Sequence, residues 1–327
     1  MIFLHGAAFL AAFAILFKCA DLFVDGASRI ATILNIPKLL IGIVLVGLAT
    51  TAPEFAVSVI AAIRGLPELA LGNAIGSVIV DDCVALALAA ILAPTVIFIN
   101  CRMLRVIGVF LLGIDFLAFL LARDGVLNRW EGLILVSMLG VYFVLLFKVR
   151  SFRAPGMTDS GIAENSAGSR LNAAVRRDLK TPVIKVLFGL AGVILTAKVI
   201  VQSAEYVARY FAIPEIIIGS TIVAVGTSLP EVSTCITAAL KGEGELAVGN
   251  ILGADVLNIL WIIGVASLTN PIVVDREIIN FKFPYMILVV TVMLILMRIG
   301  CRLNRAKGFI LISFYFLYLF LTFHLFL

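Results

Sequence analysis

The chain has 327 residues, of which 62% are hydrophobic and 14% charged, with a net charge of +5; an ordinary soluble domain has about 25% charged residues. Together with a mean hydropathy of +1.17, this excludes a soluble globular protein and predicts an all-α polytopic membrane protein of the plasma (inner) membrane. The excess positive charge lies in alternate connections rather than in one patch, so the partner it implies is the lipid bilayer and no nucleic acid is expected.

A membrane span needs about 20 mainly apolar residues. Ten stretches qualify, near 2–24, 39–63, 69–93, 104–122, 131–147, 183–208, 213–240, 246–268, 281–298 and 309–327. The first, MIFLHGAAFLAAFAILFKCADLF, lacks a basic leader and a small-x-small cleavage site, so it reads as a span rather than a removable signal. Residues 148–182 are rich in Gly, Ser and charge and read as a cytoplasmic linker. The linker divides the chain into 1–147 and 183–327, five spans each. Basic residues gather around Arg29 and Lys38, Arg102 and Arg105, the linker, Lys241, and Arg298 to Lys307. The positive-inside rule makes those connections cytoplasmic and both termini outward. Five cysteines without C-x-x-C spacing are expected as buried thiols. His5 and His324, at the two extremes of the chain, offer no histidine-based metal or catalytic centre.

The sequence contains itself twice. NIPKLLIGIVLVGLATTAPEFAVSVIAAIRGLPELALGNAIGSVIVDD aligns without a gap on AIPEIIIGSTIVAVGTSLPEVSTCITAALKGEGELAVGNILGADVLNI: Pro37 and Pro214, Glu54 and Glu231, Asn73 and Asn250, and Gly76 and Gly253 are each 177 positions apart. Five spans separate equivalent helices, and five is odd, so the halves are expected as inverted repeats of five helices each. Such repeats place a substrate site near the midplane, where interrupted helices from both halves meet.

Each copy carries a helix breaker beside an acid. Pro53 cannot donate to the carbonyl of Ala49, and Pro230 cannot donate to that of Gly226. Around the freed carbonyls stand Thr50, Thr51 and Glu54 in one copy and Thr227, Ser228 and Glu231 in the other. These are hard oxygen donors, which select Na⁺, Ca²⁺ or Mg²⁺ over zinc or copper; a flexible mixture of carbonyl, hydroxyl and carboxylate suits Ca²⁺ better than octahedral Mg²⁺. The following helices add Asn73, Ser77 and Asp81 in the first copy and Asn250, Asp255 and Asn258 in the second, while Gly72, Gly76, Gly249 and Gly253 are expected to permit close helix approach. Of the adjacent Asp81 and Asp82, only one can face the site. Asp115 has no repeat partner and is expected to hydrogen-bond a neighbouring helix; Glu243, at a span end, is expected to be solvated.

ATTAPE with GNAIGS, and GTSLPE with GNILGA, resemble the two repeats of the cation/calcium exchanger superfamily, in its sodium/calcium exchanger branch, over about residues 37–92 and 214–268. The resemblance implies a secondary-active antiporter, expected as a monomer, that is not an enzyme, uses no cofactor and transports Ca²⁺ and Na⁺ by alternating access. Helices two, three, seven and eight would line the cation positions while helices one and six slide past them. It further implies that Glu54 and Glu231 coordinate both ions, that Thr50, Thr51, Thr227 and Ser228 contribute oxygens, and that Ser77 serves a sodium position. Three departures stand out. Asp81 occupies the place of the usual asparagine and Asn258 that of the usual acid; Ala254 replaces a serine; and Val78 and Asp255 replace the common asparagine after Gly-Ser. A Ca²⁺/H⁺ or K⁺-dependent antiporter of the same fold remains an alternative, and an intramembrane aspartyl protease a remote one, since the chain has no Gly-x-Gly-Asp. Carboxylate ligands predict inhibition at low pH.

Overall fold

A computed structural model describes residues 2–150, 168–210 and 224–326 of the chain. Apolar segments in lipid must satisfy their backbone internally, which leaves helices as the simplest solution, and the described residues are overwhelmingly helical. In chain order they form α1 (Ile2–Ile33), α2 (Lys38–Thr50), α3 (Ala52–Ile63), α4 (Pro67–Leu92), α5 (Cys101–Ala122), α6 (Arg129–Arg150), α7 (Gly168–Tyr210), α8 (Ala224–Thr227), α9 (Leu229–Leu240), α10 (Gly244–Thr269), α11 (Ile278–Cys301) and α12 (Arg305–Phe326).

Eight of these are long and apolar enough to span a membrane, and α2 with α3 makes a ninth span bent by 43° at Thr51. The tenth expected span, 213–240, is described as α8 and α9; residues 211–223, with Pro214, lie outside the described residues. About half of the expected linker, residues 151–167, also lies outside them. Its last part differs from the expectation, because α7 already begins at Gly168 and carries Pro182 inside it. The run SRLNAAVRRDLK contains enough good helix formers to extend the helix backward from the apolar segment.

The duplication is visible in the contacts. α1 lies along α7, α2 packs on α10, and α9 packs on α4, so each broken span of one half crosses the helix that follows the break in the other. Two short antiparallel ribbons repeat the relation. β1 (Ile97–Phe98) pairs with β4 (Arg302–Leu303), and β2 (Val126–Leu127) pairs with β3 (Ile272–Val273). These ribbons lie at opposite ends of α5, and each joins the two halves.

The α2–α10 crossing is close because glycines face each other there. A Cβ on Gly42 would stand 2.5 Å from the Leu246 carbonyl oxygen, and one on Gly253 2.5 Å from that of Ile43. Gly249 also faces Gly42, as the sequence leads one to expect. Gly72 and Gly76 differ: a Cβ added at either would meet no described atom beyond its own stretch of helix within 4 Å, and most of the repeat equivalent of α2, residues 215–223, lies outside the described residues. The cysteines correct another expectation. Cys83 and Cys235 are buried thiols and Cys19 is half-buried, but Cys101 and Cys301 form a disulfide across the two halves, with Cα atoms 5.4 Å apart. The β1–β4 ribbon brings the two cysteines together from 200 positions apart.

Candidate ion-binding site

The site begins at the two breaks. Thr51 precedes Pro53 with φ −76° and ψ −5°, and its repeat equivalent Ser228 precedes Pro230 with φ −85° and ψ 7°. Both turns leave the α-helix at the same position and restart it as α3 and α9. The proline nitrogens donate nothing, so the carbonyls of Ala49 and Gly226 lose their helical partners. The helices end alike too, at Arg64 and Lys241 with ψ near zero, followed by Gly65 (φ 81°) and Gly242 (φ 74°) in left-handed backbone that glycine adopts without strain.

Between the breaks the halves exchange hydrogen bonds. The Thr50 hydroxyl donates to Asn250 Oδ1 at 3.1 Å, and the Thr227 hydroxyl donates to Asn73 Oδ1 at 3.2 Å. These are one contact made twice, since both partners of each pair are 177 positions from those of the other. The asparagine amides are held in turn: Asn73 Nδ2 donates to Ser58 Oγ and Asn250 Nδ2 to Thr234 Oγ1, each at 3.1 Å. A third bond breaks the symmetry. Thr51 donates to Glu231 Oε1 at 3.2 Å, whereas the Ser228 hydroxyl and both oxygens of Glu54 have no hydrogen-bond partner among the described residues.

Glu54, Glu231 and Asp81 are buried and near enough for their charges to repel. Asp81 and Asn258 each begin a π-helical segment, Asp81–Ala85 and Asn258–Ile263, a local widening that often marks functional positions. Glu231 Oε2, Ser77 Oγ, both Asp81 oxygens and Asn258 Oδ1 are buried and likewise lack partners among the described residues. Unpaired buried oxygens of this kind are costly in a low-dielectric interior. A bound cation would remove that cost, as would protonation of the carboxyl groups. Carboxylate, hydroxyl, amide and carbonyl oxygens from four helices fit a hard, flexible coordination shell. No three acidic, histidine or cysteine groups among the described residues converge into a ready chelating cluster, so the neutral oxygens would have to complete the shell.

Three expectations change. Asp255 does not join Glu54 and Glu231; the charges it feels most are those of Asp82 and then Asp81, with Asp115 after them. Asp115 is buried, yet neither oxygen bonds a neighbouring helix among the described residues. Glu243 is not simply solvated: it pairs with Lys38 and accepts from the Ser28 hydroxyl at 2.7 Å. That contact belongs to a network the sequence did not suggest. At the end of the molecule where α9 turns into α10, Lys241 pairs with Asp21 at 2.8 Å and with Asp25, and Lys185 lies 3.6 Å from Asp25. α1 and α7 are thereby tied to the α9–α10 connection. Partial burial acts to lower the pKa of Lys241, but its hydrogen bonds to Asp21 and Asp25 outweigh this and hold it above the usual lysine range.

The profile of the family described as Sodium/calcium exchanger protein matches residues 4–148 and 182–324. The chain is 32% identical over 314 residues to the putative antiporter CaxA of Alkalimonas amylolytica, covering 93% of this chain and 94% of that one. It is 33% identical over 272 residues to the inner membrane protein YrbG of Escherichia coli (strain K12), covering 83% and 81%. Among solved structures it is similar to the sodium-calcium exchanger NCX_Mj soaked with 2.5 mM Na⁺ and 10 mM Sr²⁺, with a TM-score of 0.80 and 26% identity over 97% of this chain and 98% of that one.

Proposed function

Because this chain belongs to the sodium/calcium exchanger protein family, and is therefore a multi-pass membrane antiporter rather than an enzyme, we propose that it exchanges Na⁺ for Ca²⁺ across the inner (plasma) membrane. Glu54 and Glu231 are the central ligands in this reading. Thr50, Thr51, Thr227, Ser228 and the carbonyls of Ala49 and Gly226 complete a shell that one Ca²⁺ or several Na⁺ use in turn. Ser77, Asp81 and Asn258 extend it on the α4 and α10 side, and Asn73 and Asn250 position the threonines. The observation that carries the reading is the pair of equivalent helix breaks, each with a buried glutamate whose oxygens lack enough protein partners. The similarity to NCX_Mj, whose solved forms hold sodium and strontium soaks, supports the choice of ions.

Competition couples the two fluxes. Ions that share oxygens cannot bind together, and the site without an ion leaves several carboxylates in low dielectric, which opposes its crossing. The α1–α7 pair is the element that would slide, with residues 1–147 and 183–327 acting as the inverted halves, 148–182 joining them on the cytoplasmic side and both termini outside.

The test is radiolabelled Ca²⁺ uptake into proteoliposomes loaded with Na⁺, and into proteoliposomes loaded with choline under a pH gradient. Na⁺-driven uptake in the wild type, lost in Glu54→Gln, is expected. Uptake driven by the pH gradient alone would replace the proposal with a Ca²⁺/H⁺ antiporter.

A further inference from the structure

The inverted repeat gives each contact a counterpart at the other end of the molecule, so a contact made at one end only carries information. On α9, Thr234 and Thr237 are 1% and 5% exposed, while their equivalents on α3, Val57 and Ile60, are 50% and 49% exposed. The cover is α1, which packs on α9; α7 makes no packing of similar extent on α3 among the described residues. The molecule is therefore closed at the Lys241 end of α9 and open at the Arg64 end of α3. Charge holds the closed end. The Lys241 ammonium donates to the Asp25 carboxylate and, at 3.2 Å, to the main-chain oxygen of Asp21, and it lies 2.8 Å from the Asp21 carboxylate. Beside it Lys38 pairs with Glu243, which also accepts from Ser28 of α1. The repeat copies none of these pairs. Arg64 is equivalent to Lys241, but Lys198 and Gln202 stand where Asp21 and Asp25 do; Glu215 and Leu66 replace Lys38 and Glu243. Glu205 stands where Ser28 does, so position for position the acids of that end face Leu66 rather than Arg64.

We propose that the pairs of Lys241 with Asp21 and Asp25, and of Lys38 with Glu243, are a latch that sets the resting molecule to the state closed at this end and open at the other. Lys241 is its central positioning residue. The inference rests on the exchanger reading for one point, that α1 and α7 slide together past the core. Sliding that uncovers α9 pulls Asp21 and Asp25 away from Lys241, and the matching closure of α7 on α3 returns no pair: it brings Arg64 toward Lys198. An attraction lost and a repulsion gained act in the same direction. Both reduce the share of molecules open at the Lys241 end, because a two-state equilibrium responds to such a difference between its states. The apparent affinity for an ion falls in proportion to the fraction of molecules competent to bind it. Na⁺ and Ca²⁺ therefore fill the shell more readily from the Arg64 end, outward in the topology proposed above, than from the Lys241 end.

The experiment uses the full chain in detergent, where a maleimide reaches both ends and no transport is needed. A cysteine is added by Thr237→Cys or, separately, by Ile60→Cys, and labelling is read as the excess over the chain without it. Thr237→Cys should label slowly, and Lys241→Met should speed it about fivefold, the scale of exposed ion pairs, while Ile60→Cys labels no faster than before. Lys198→Asp with Gln202→Asp copies Asp21 and Asp25 to the Arg64 end. That change should speed Thr237→Cys by a similar factor from the far end of the molecule, and adding Arg64→Met should cancel the gain. A Thr237→Cys rate unmoved by Lys241→Met overturns the proposal, as does an equal speeding of both cysteines, which would mean general loosening. A copied pair that leaves the Thr237→Cys rate unchanged overturns it too. Should the copied pair prevent folding, the comparison of Thr237→Cys with Ile60→Cys under Lys241→Met decides. Failure of Na⁺-driven Ca²⁺ uptake in the wild type would count against the exchanger reading and leave the labelling result standing.

Discussion

Replacing Gly42 by alanine tests whether the α2–α10 crossing sets the geometry of the site. The added Cβ would lie 2.5 Å from the Leu246 carbonyl oxygen, 2.9 Å from Gly249 Cα and 3.0 Å from the Asn250 backbone nitrogen. Ordinary contact begins near 3.4 Å, and the atoms in the way are backbone, so the helices must part by about 0.9 Å. The same movement carries the Thr50–Asn250 hydrogen bond from 3.1 Å to about 4 Å, beyond useful range. Overpacking costs about 1–3 kcal/mol, and the lost bond adds about 1 kcal/mol. We expect a thermal midpoint several degrees lower and weaker Ca²⁺ binding by equilibrium dialysis, because Asn250 no longer holds Thr50. Gly113→Ala is the control, since a Cβ added there would meet no described atom beyond its own stretch of helix within 4 Å. A Gly42→Ala protein that melts and binds Ca²⁺ like the wild type would refute the reasoning.

Thr51→Val removes the donor to Glu231 Oε1 while keeping the shape of the side chain; Ca²⁺ and Na⁺ half-saturation should rise about tenfold or more, with the midpoint in choline little changed. Ala254→Ser returns a hydroxyl to the position equivalent to Ser77, and the Na⁺ dependence of exchange should shift to lower concentration or become steeper. Lys241→Met removes the cation that ties Asp21 and Asp25 of α1 to the α9–α10 connection; a cysteine placed at Thr237 should then label faster from that side with an impermeant thiol reagent. The Lys241 pKa is raised, so the contribution of this network is complete below the unfolded-chain value and lost only as pH climbs through the folded one. The ratio of the labelling rates with and without Lys241 should therefore be flat from about pH 6 to 9, both well below the ordinary lysine value of about 10.4, since the thiolate's own rise with pH cancels in the ratio.

Much of the site can be read from the sequence because the duplication supplies an internal control. Pro53 with Glu54 would be ambiguous alone; the same pair at Pro230 and Glu231 fixes where both spans break, and the matching backbone at Thr51 and Ser228 follows. The repeat also aligns Thr50 with Thr227 and Asn73 with Asn250, although the sequence does not say that each threonine bonds the asparagine of the opposite half. What escapes the sequence is what the repeat does not copy. Cys101 and Cys301 stand 200 positions apart with no spacing signal, and only the β1–β4 ribbon brings them together. Asp115 has no counterpart and Asp82 is masked by its neighbour, so the charge that Asp255 feels from each depends on how α4, α5 and α10 pack. The Lys241 network joins charges from three segments, each of which reads as an ordinary span end. The π-helical turns at Asp81 and Asn258 have no composition that announces them.

The central claim is that one set of oxygens, shared between Glu54 and Glu231, serves both ions. Equilibrium binding of radiolabelled Ca²⁺ to the detergent-purified protein, titrated with NaCl at constant ionic strength against choline, tests it most directly. Complete displacement by Na⁺ with a slope steeper than one, and no measurable Ca²⁺ binding in Glu54→Gln or Glu231→Gln, is the predicted result. Ca²⁺ binding that Na⁺ does not displace, or that survives both substitutions, would contradict the account.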